Sequence, residues 1–485
     1  MENAVMIALL FFYFAALFWI STTTSKNASS QTFFSGDKKS PWYLVAFGMI
    51  GTSLSGVTFI SVPGKVITSS WHYYQLVLGF FLGYFVVAFV LLPIYYKMKL
   101  TSIYTYLERR LGMEAYRWGA GYFILSRCLG ATVRLYLVIN VLQIFIFDQM
   151  GIPFAASTCL IIAMIVAYTL KGGVKTIVWT DTLQTSFMLL ALVVCVVSFQ
   201  QKLDLGWSEV FSALKAHNFF NIVENNPMKG DYFWKHLMGG AFISIAMTGL
   251  DQEMMQKNIS VKTLGDAQKN MVLFSLILLL VNALFLILGG VLSLYAMKLG
   301  IQVAPDDLFP SLVQNYLPFG IFIIFILGLI SALFPSVDGA ITALTASFCI
   351  DVLGFDRNER SEEEKIRVKR KVHLGFAFVF MLLVFLFKLF DNKSIVDLIF
   401  DIAGYTYGPL LGLFAFGILT KRVFVSPKVG YLTLLAPITC YLLKVNSEYI
   451  LGVYQIGNEM LILNGLITFI LLFIFSKKNP YAVTH

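Results

Sequence analysis

Charge is what this 485-residue chain has least of: 13% of its residues are Asp, Glu, Lys or Arg, against 58% that are hydrophobic. A soluble domain carries roughly 25% charged residues, so a water-facing globular fold is excluded. Cysteine is also scarce. Cys128, Cys159, Cys195, Cys349 and Cys440 all fall inside apolar runs without close pairing, which supports neither a disulfide framework nor a zinc site and leaves small buried hydrophobes as their reading. Histidine numbers five, with His217, His236, His373 and His485 in loops or at segment ends and no His-Glu-x-x-His anywhere. A hydrolytic metal centre or a nucleophile–base pair in the membrane therefore has little to draw on. The first residues, Met1-Glu2-Asn3, lack the basic start of a signal peptide.

What the chain has is apolar length. Its mean hydropathy is +0.77, and a helix crossing a bilayer needs about 20 mostly apolar residues. Thirteen such segments are expected, at 4–22, 42–64, 74–96, 119–147, 151–170, 177–199, 234–253, 270–298, 317–350, 372–390, 398–420, 429–445 and 457–476. The net charge of +9 is carried by short clusters between these runs, the signature of membrane topology rather than of nucleic-acid binding. With thirteen spans, 25 of the 36 Lys and Arg residues, from Lys26, Lys38 and Lys39 through Lys257, Lys262 and Lys269 to Lys477 and Lys478, fall on one side. The positive-inside rule then places the N-terminus outside and the C-terminus in the cytoplasm. The polar segment 100–118 is expected along the cytoplasmic interface, and 356–371 as a solvated loop. The whole of 1–485 reads as one unit with no soluble domain appended: a leading span (4–22), a ten-helix core (42–420) and two C-terminal spans (429–476).

Two segments look interrupted. One holds Gly51-Thr52-Ser53-Leu54-Ser55-Gly56 followed by Pro63-Gly64; the other starts at Gly239-Gly240 and runs to Met247-Thr248-Gly249. Setting aside the leading span they are the first and sixth of the core, equivalent positions in two five-helix halves, where an inverted-repeat transporter unwinds helices to expose backbone groups. Close helix packing by small residues is the other reading of these glycines.

Ionisable groups within spans cost roughly 2.5–3.5 kcal/mol each at a helix centre and need partners or a polar cavity. Arg127 and Arg134 share a helix face, with carboxylates or span-end carbonyls as partners. Asp181 stands at a helix start, where an anion is favoured without further role, and Asp251 and Asp401 stand close enough to an interface for hydration. Asp338 lies deep in 317–350 beside Ala332, Ser336 and Gly339, a small polar face that suits a hard cation. The other reading of Asp338 is a structural partner for Arg127 or Arg134.

Taken in order, four pieces resemble the solute:sodium symporter family, which includes the sodium/proline and sodium/galactose cotransporters. They are Gly51–Gly56 with Pro63-Gly64, Gly173–Gln184 with Trp179-Thr180-Asp181, Gly249-Leu250-Asp251-Gln252 with Gln256, and Tyr405-Thr406-Tyr407-Gly408-Pro409. The resemblance implies an all-α polytopic membrane protein with a leucine-transporter-like five-plus-five inverted-repeat core, sodium as coupling ion and alternating access. It implies sodium contacts at Gly51, Leu54, Ala332 and Ser336, with Asp181 and Asp338 at a lower site. Pro335 stands where the family has a hydroxyl, so Asp338 is read as offsetting that loss, with coupling to protons as the alternative use of a carboxylate. Matched by position, Thr58, His72, Gln75, Ser244, Thr248 and Asp401 are expected to line the solute site, although His72 among Trp71, Tyr73 and Tyr74 reads equally as an interfacial anchor. Met247-Thr248 replaces the aromatic pair that grips galactose-type substrates, which argues against a hexose. The expected function is uptake of a small organic solute (sugar, sugar acid, amino acid, carboxylate or vitamin-like) across a bacterial inner membrane. No nucleic acid or obligate protein partner is expected beyond the lipid bilayer. An intramembrane enzyme, a channel and a transporter-like sensor are the alternatives from other classes.

Overall fold

The structure, a computed structural model, describes residues 2–24, 33, 40–357, 360–389, 395–423 and 428–478. Lys26, Lys38, Lys39 and His485 lie outside them. The chain is helical almost throughout, as burial of a backbone in lipid demands. The helices that matter below are α1 (Glu2–Thr24), α2 (Trp42–Ser69), α3 (Tyr73–Lys97), α4 (Thr105–Leu111), α5 (Met113–Leu142), α6 (Phe154–Leu170), α7 (Gly173–Leu203), α8 (Trp207–Ala216), α9 (Phe233–Ser244), α10 (Gln252–Ile259) and α11 (Leu264–Leu299). They continue with α12 (Pro305–Tyr316), α13 (Phe319–Val352), α14 (Glu362–Lys388), α15 (Ile395–Leu419), α16 (Val429–Val445), α17 (Ser447–Leu451) and α18 (Met460–Phe475). Among the described residues, eight helices are long and apolar enough to cross a membrane, and α6, α16, α18 and the Ala8–Thr24 part of α1 are shorter apolar ones. Every expected segment except 234–253 coincides with one of these.

The buried centre is α2, against which α7, α11 and α13 pack, while α9 packs on α3 and α15 on α5 and α18. The small residues of α2 permit this crowding. A methyl group added at Gly51 would stand 3.3 Å from Pro335 Cγ of α13.

The first expected interruption falls at Ser55, whose φ of 32° and ψ of 167° break α2 in two. A non-glycine residue at positive φ costs of order 1–3 kcal/mol and persists where its surroundings over-determine it. The second interruption comes at the far end of the expected stretch, directly after Gly249, and not at Gly239-Gly240. Those glycines are regular helix in α9, and a Cβ at Gly240 would come within 3.1 Å of Gly79 Cα in α3. They serve close packing, and the break comes after a wide turn at Ile245–Gly249, where Leu250 and Asp251 leave helical geometry before α10 begins.

Other expectations change too. Residues 100–118 are not one continuous segment: Thr105–Leu111 is a short helix with Tyr106, Leu107 and Leu111 buried, and Met113 already starts α5. The charge run 356–371 is largely helix, because Ser361 caps the N-terminus of α14 by accepting from Glu364 N–H and Glu362–Glu364 complement the helix dipole. His373 is no loop residue. It is buried in α14, its Nε2 2.9 Å from Thr169 Oγ1 and its Nδ1 3.1 Å from Thr345 Oγ1. Cys159 is exposed on α6, whereas the other four cysteines are buried.

Candidate functional site

Two cavities flank the break in α2. The inner one is lined by Ser53, Ser55 and Thr58 of α2, Tyr73 and Tyr84 of α3, Arg127 and Arg134 of α5, Ser244, Met247 and Thr248 around the end of α9, and Asn282 of α11. The second, a vestibule, is lined by His72, Asp231, His236, Asp401 and Lys444 among others. Tyr73 and Ile243 belong to both walls and form the partition between them.

The expected solute-site residues therefore separate. Thr58, Ser244 and Thr248 line the inner cavity. His72 and Asp401 line the vestibule, where Asp401 pairs with Lys444 and His72 Nδ1 lies 2.6 Å from Asp231 Oδ2. An ionised carboxylate only accepts, so the Nδ1 proton is on His72. This bond holds the Asp231 carboxyl below its ordinary range. Gln75 lines neither space; its amide donates to the carbonyls of His72 and Asp231 and accepts from Glu224 N–H, tying the loop before α9 to α3.

Below the inner cavity, α2, α5, α7, α10 and α13 converge on a group of buried charges. Lys257 Nζ of α10 donates to Thr52 Oγ1 of α2 at 2.6 Å and to Asp181 Oδ2 of α7 at 2.7 Å, and lies 3.7 Å from Glu253 Oε1. Thr52 Oγ1 donates to the same Asp181 oxygen at 3.2 Å. Arg127 reaches Glu253 through Nε at 2.7 Å and also through a second nitrogen, and its Nη1 lies 3.7 Å from Asp251 Oδ2. Asp251 accepts from Tyr407 O–H at 2.7 Å and from Met254 N–H at 3.2 Å, capping α10. None of these side chains is more than 5% exposed. Asp251 is thus sealed in protein rather than hydrated, and Asp181 stands two turns inside α7, answered by an ammonium rather than by a helix N-terminus.

Asp338 pairs with neither arginine. Its Oδ2 accepts from Tyr168 O–H of α6 at 2.7 Å and its Oδ1 from Gly339 N–H at 2.5 Å. The charges that act on it are Asp181, Lys257 and Glu253, and a Cβ at the neighbouring Gly339 would lie 2.8 Å from Glu253 Cδ. Pro335, one turn earlier, has no N–H for the carbonyl of Ser331, while Ser336 Oγ donates to its own helix at Leu333 O, 2.8 Å away. Gly51, Leu54, Ala332, Ser336, Asp338 and Asp181 are all buried. Gly51 meets α7 and α13 together, since a Cβ there would touch Thr185 Oγ1 at 2.5 Å as well as Pro335.

Sequence reasoning missed Lys257, Glu253 and Tyr168. Lys257 looks like one more positive loop residue, and only its position directly after the Asp251 break, with Glu253 one turn before it, hints at an inward-facing pair. Tyr168 carries no signal at all, because a tyrosine near the end of an apolar helix is also what an interfacial anchor looks like.

The sequence profile of the sodium:solute symporter family matches residues 33–426. The sodium/sialic acid symporter of Proteus mirabilis is 25% identical over 426 residues, covering 86% of this chain and 84% of its own. Human sodium-coupled monocarboxylate transporter 1 is 26% identical over 81% of this chain and 64% of its own. Among solved structures, a substrate-bound, outward-open sodium-coupled sialic acid symporter superposes with a TM-score of 0.84 at 21% identity, covering 99% of both chains. Mhp1, a nucleobase-cation-symport-1 family transporter, superposes with a TM-score of 0.55 at 12% identity. The fold is accordingly the all-α, leucine-transporter-like inverted repeat. The chain belongs to the sodium:solute symporter family, multi-pass membrane transporters that carry a small solute together with sodium.

Proposed function

We propose that the solute is a small organic anion, a carboxylate such as a sugar acid or monocarboxylate, held in the inner cavity by Arg134. The observation that carries this is the guanidinium itself. Arg134 lines the cavity, is 9% exposed, and has no carboxylate within ion-pair distance among the described residues, whereas Arg127 one heptad earlier is committed to Glu253 and Asp251. A buried guanidinium is costly without an anion, and its planar donors match a carboxylate in two-pronged fashion. Thr58, Ser244 and Thr248 would then serve the remaining hydroxyl or carbonyl groups of the solute, and His72 and Asp401 its path in. The relatives agree in kind: their substrates include sialic acid, monocarboxylates and iodide.

The coupling cation belongs, in the same proposal, beside Asp338, with the carbonyls of Gly51, Leu54 and Ala332 and the hydroxyl of Ser336 around the break at Ser55. Asp181, Glu253 and Asp251 each lie within ion-pair distance of Lys257 or Arg127, whereas Asp338, among the described residues, meets only the Tyr168 hydroxyl and the Gly339 N–H, so it is the carboxylate of this group that an added cation would answer. Sodium held there ties α2 to α13 and shapes the floor of the solute cavity. Coupling is reciprocal: the solute raises sodium affinity by the factor by which sodium raises solute affinity. The inside-negative potential adds about 2.3 kcal/mol per charge per 100 mV to inward movement. A bacterial inner membrane, with the N-terminus outside and the C-terminus cytoplasmic, completes the proposal; moving Lys257 into the interior leaves the sign of the loop charge unchanged.

The test is counterflow of labelled carboxylates and their uncharged amides in proteoliposomes with sodium or potassium. Sodium-dependent counterflow of an acid but not its amide is expected, weakened roughly tenfold to a hundredfold in Arg134→Ala. Equal transport of acid and amide overturns the anion proposal.

A further inference from the structure

Lys257 is a cation that the chain carries with it. Its ammonium binds three oxygen-bearing groups from two other helices and its own, Asp181, Thr52 and Glu253, which is the ligand chemistry that a hard metal cation seeks. The surroundings extend that chemistry beyond what the ammonium uses. Asp181 Oδ1 is buried with no hydrogen-bond donor, and so is Thr185 Oγ1, one turn along the same face of α7. The built site thus holds spare oxygens next to an ammonium that reaches Asp181 from one side only.

We propose that Lys257 is a tethered counter-ion occupying a cation site formed by Asp181, Thr52 and Thr185, so that this carrier binds one sodium ion, at Asp338, and fills the second position with its own side chain. The proposal rests on the Asp338 reading above, because it divides the two carboxylates between a free cation and a tethered one. The consequences are physical. A tethered cation makes no net journey across the membrane, so it fills Asp181 without adding to the charge moved per cycle. It also clamps α2, α7 and α10 together from the side opposite the vestibule, and α2 and α10 each adjoin a break in a core helix.

Removing the ammonium while keeping Asp181 should open the second position to sodium. The measurement is direct binding of labelled sodium to the purified full-length protein, with thermal stability followed in sodium and in potassium. Wild type is expected to bind about one sodium ion per chain and Lys257→Gln about two, with the variant melting lower than wild type in potassium and recovering in sodium, as a ligand specific to the folded state requires. A merely structural lysine would lower the melting temperature equally in both salts and leave the count at one, which overturns the proposal. So does a wild type that already binds two. Should Lys257→Gln alone fail to fold, Lys257→Gln with Asp181→Asn removes both charges together: it is expected to bind one sodium as wild type does, and loss of that ion overturns the division between the sites. Failure of the underlying reading looks different, since Asp338→Asn would then keep wild-type sodium binding whatever Lys257 does.

Discussion

The two faces of the α2 break treat charge in opposite ways. In the vestibule, Asp401 and Lys444 pair with side chains 36% and 35% exposed, and Asp231 beside His72 is 29% exposed. On the opposite face Arg127, Glu253, Asp251, Lys257 and Asp181 form one connected group, at most 5% exposed, that crosses α2, α5, α7 and α10. An exposed pair is worth roughly 0–1 kcal/mol because water competes for both partners. A buried pair gains little over apolar residues in its place, yet breaking it strands a charge at a cost of about 3–5 kcal/mol. The vestibule pairs can therefore open and close cheaply during each cycle. The buried group behaves as a latch, which stays shut until something supplies an equivalent charge.

The largest effect expected from this contrast is at Arg127. Arg127→Met should destabilise the protein by about 3–5 kcal/mol, since Glu253 and Asp251 are left facing each other without their guanidinium. Adding Glu253→Met should recover much of the loss. Thermal unfolding in detergent reads both, and a single variant as stable as wild type would remove the latch from the argument. Lys444→Ala in the vestibule is the control, expected to cost less than about 1 kcal/mol.

Next come the two groups that the latch leaves unanswered. Arg134→Ala should weaken uptake of a carboxylate solute roughly tenfold to a hundredfold, the equivalent of about 1.5–3 kcal/mol for a hydrogen bond to a charged group. Its stability should change little or rise, because it has no ion-pair partner to strand. Asp338→Asn should weaken sodium dependence by a similar factor while leaving the solute bound at saturating sodium. Uptake rates over a sodium titration separate the two variants. A sodium midpoint that stays put in Asp338→Asn would dissociate that carboxylate from the cation.

How much of this contrast was legible in the sequence follows from the physics of each signal. Apolar length is a local property, so the helices of the fold coincide with the expected segments almost throughout. The break at Ser55 was legible because glycine, serine and threonine cluster there and nowhere else in α2. The second break was legible only as a stretch, because glycine has two uses: Gly239 and Gly240, where the stretch starts, let α9 approach α3 and Asn458, while the chain leaves the helix at Leu250-Asp251, directly after Gly249 where the stretch ends. Pairing of charge is not local. Asp181 and Lys257 are 76 residues apart, and a lysine that ends a polar stretch after a span carries the same signature whether it faces the cytoplasm or turns inward. Asp338 could be recognised as buried, but its donor Tyr168 lies 170 residues away and looks like any aromatic at a helix end.

The smallest expected effect is a pH dependence on the vestibule side. The hydrogen bond from His72 holds Asp231 below the ordinary carboxylate value of about 3.9. A carboxyl whose folded value is depressed contributes stability above its unfolded value, and that contribution disappears as pH falls through the folded one. Stability owed to Asp231 should therefore be flat from neutral pH down to about 4 and lost only below that. Because the side chain is 29% exposed, water already satisfies part of it, and the loss should not exceed about 1 kcal/mol. Asp231→Asn should flatten the acid limb of the melting profile without touching sodium binding, since the buried latch lies on the other face of the α2 break. If the variant shifted sodium affinity instead, the two faces would be electrostatically continuous, and the comparison between a cheap outer wall and an insulated inner latch would have to be given up.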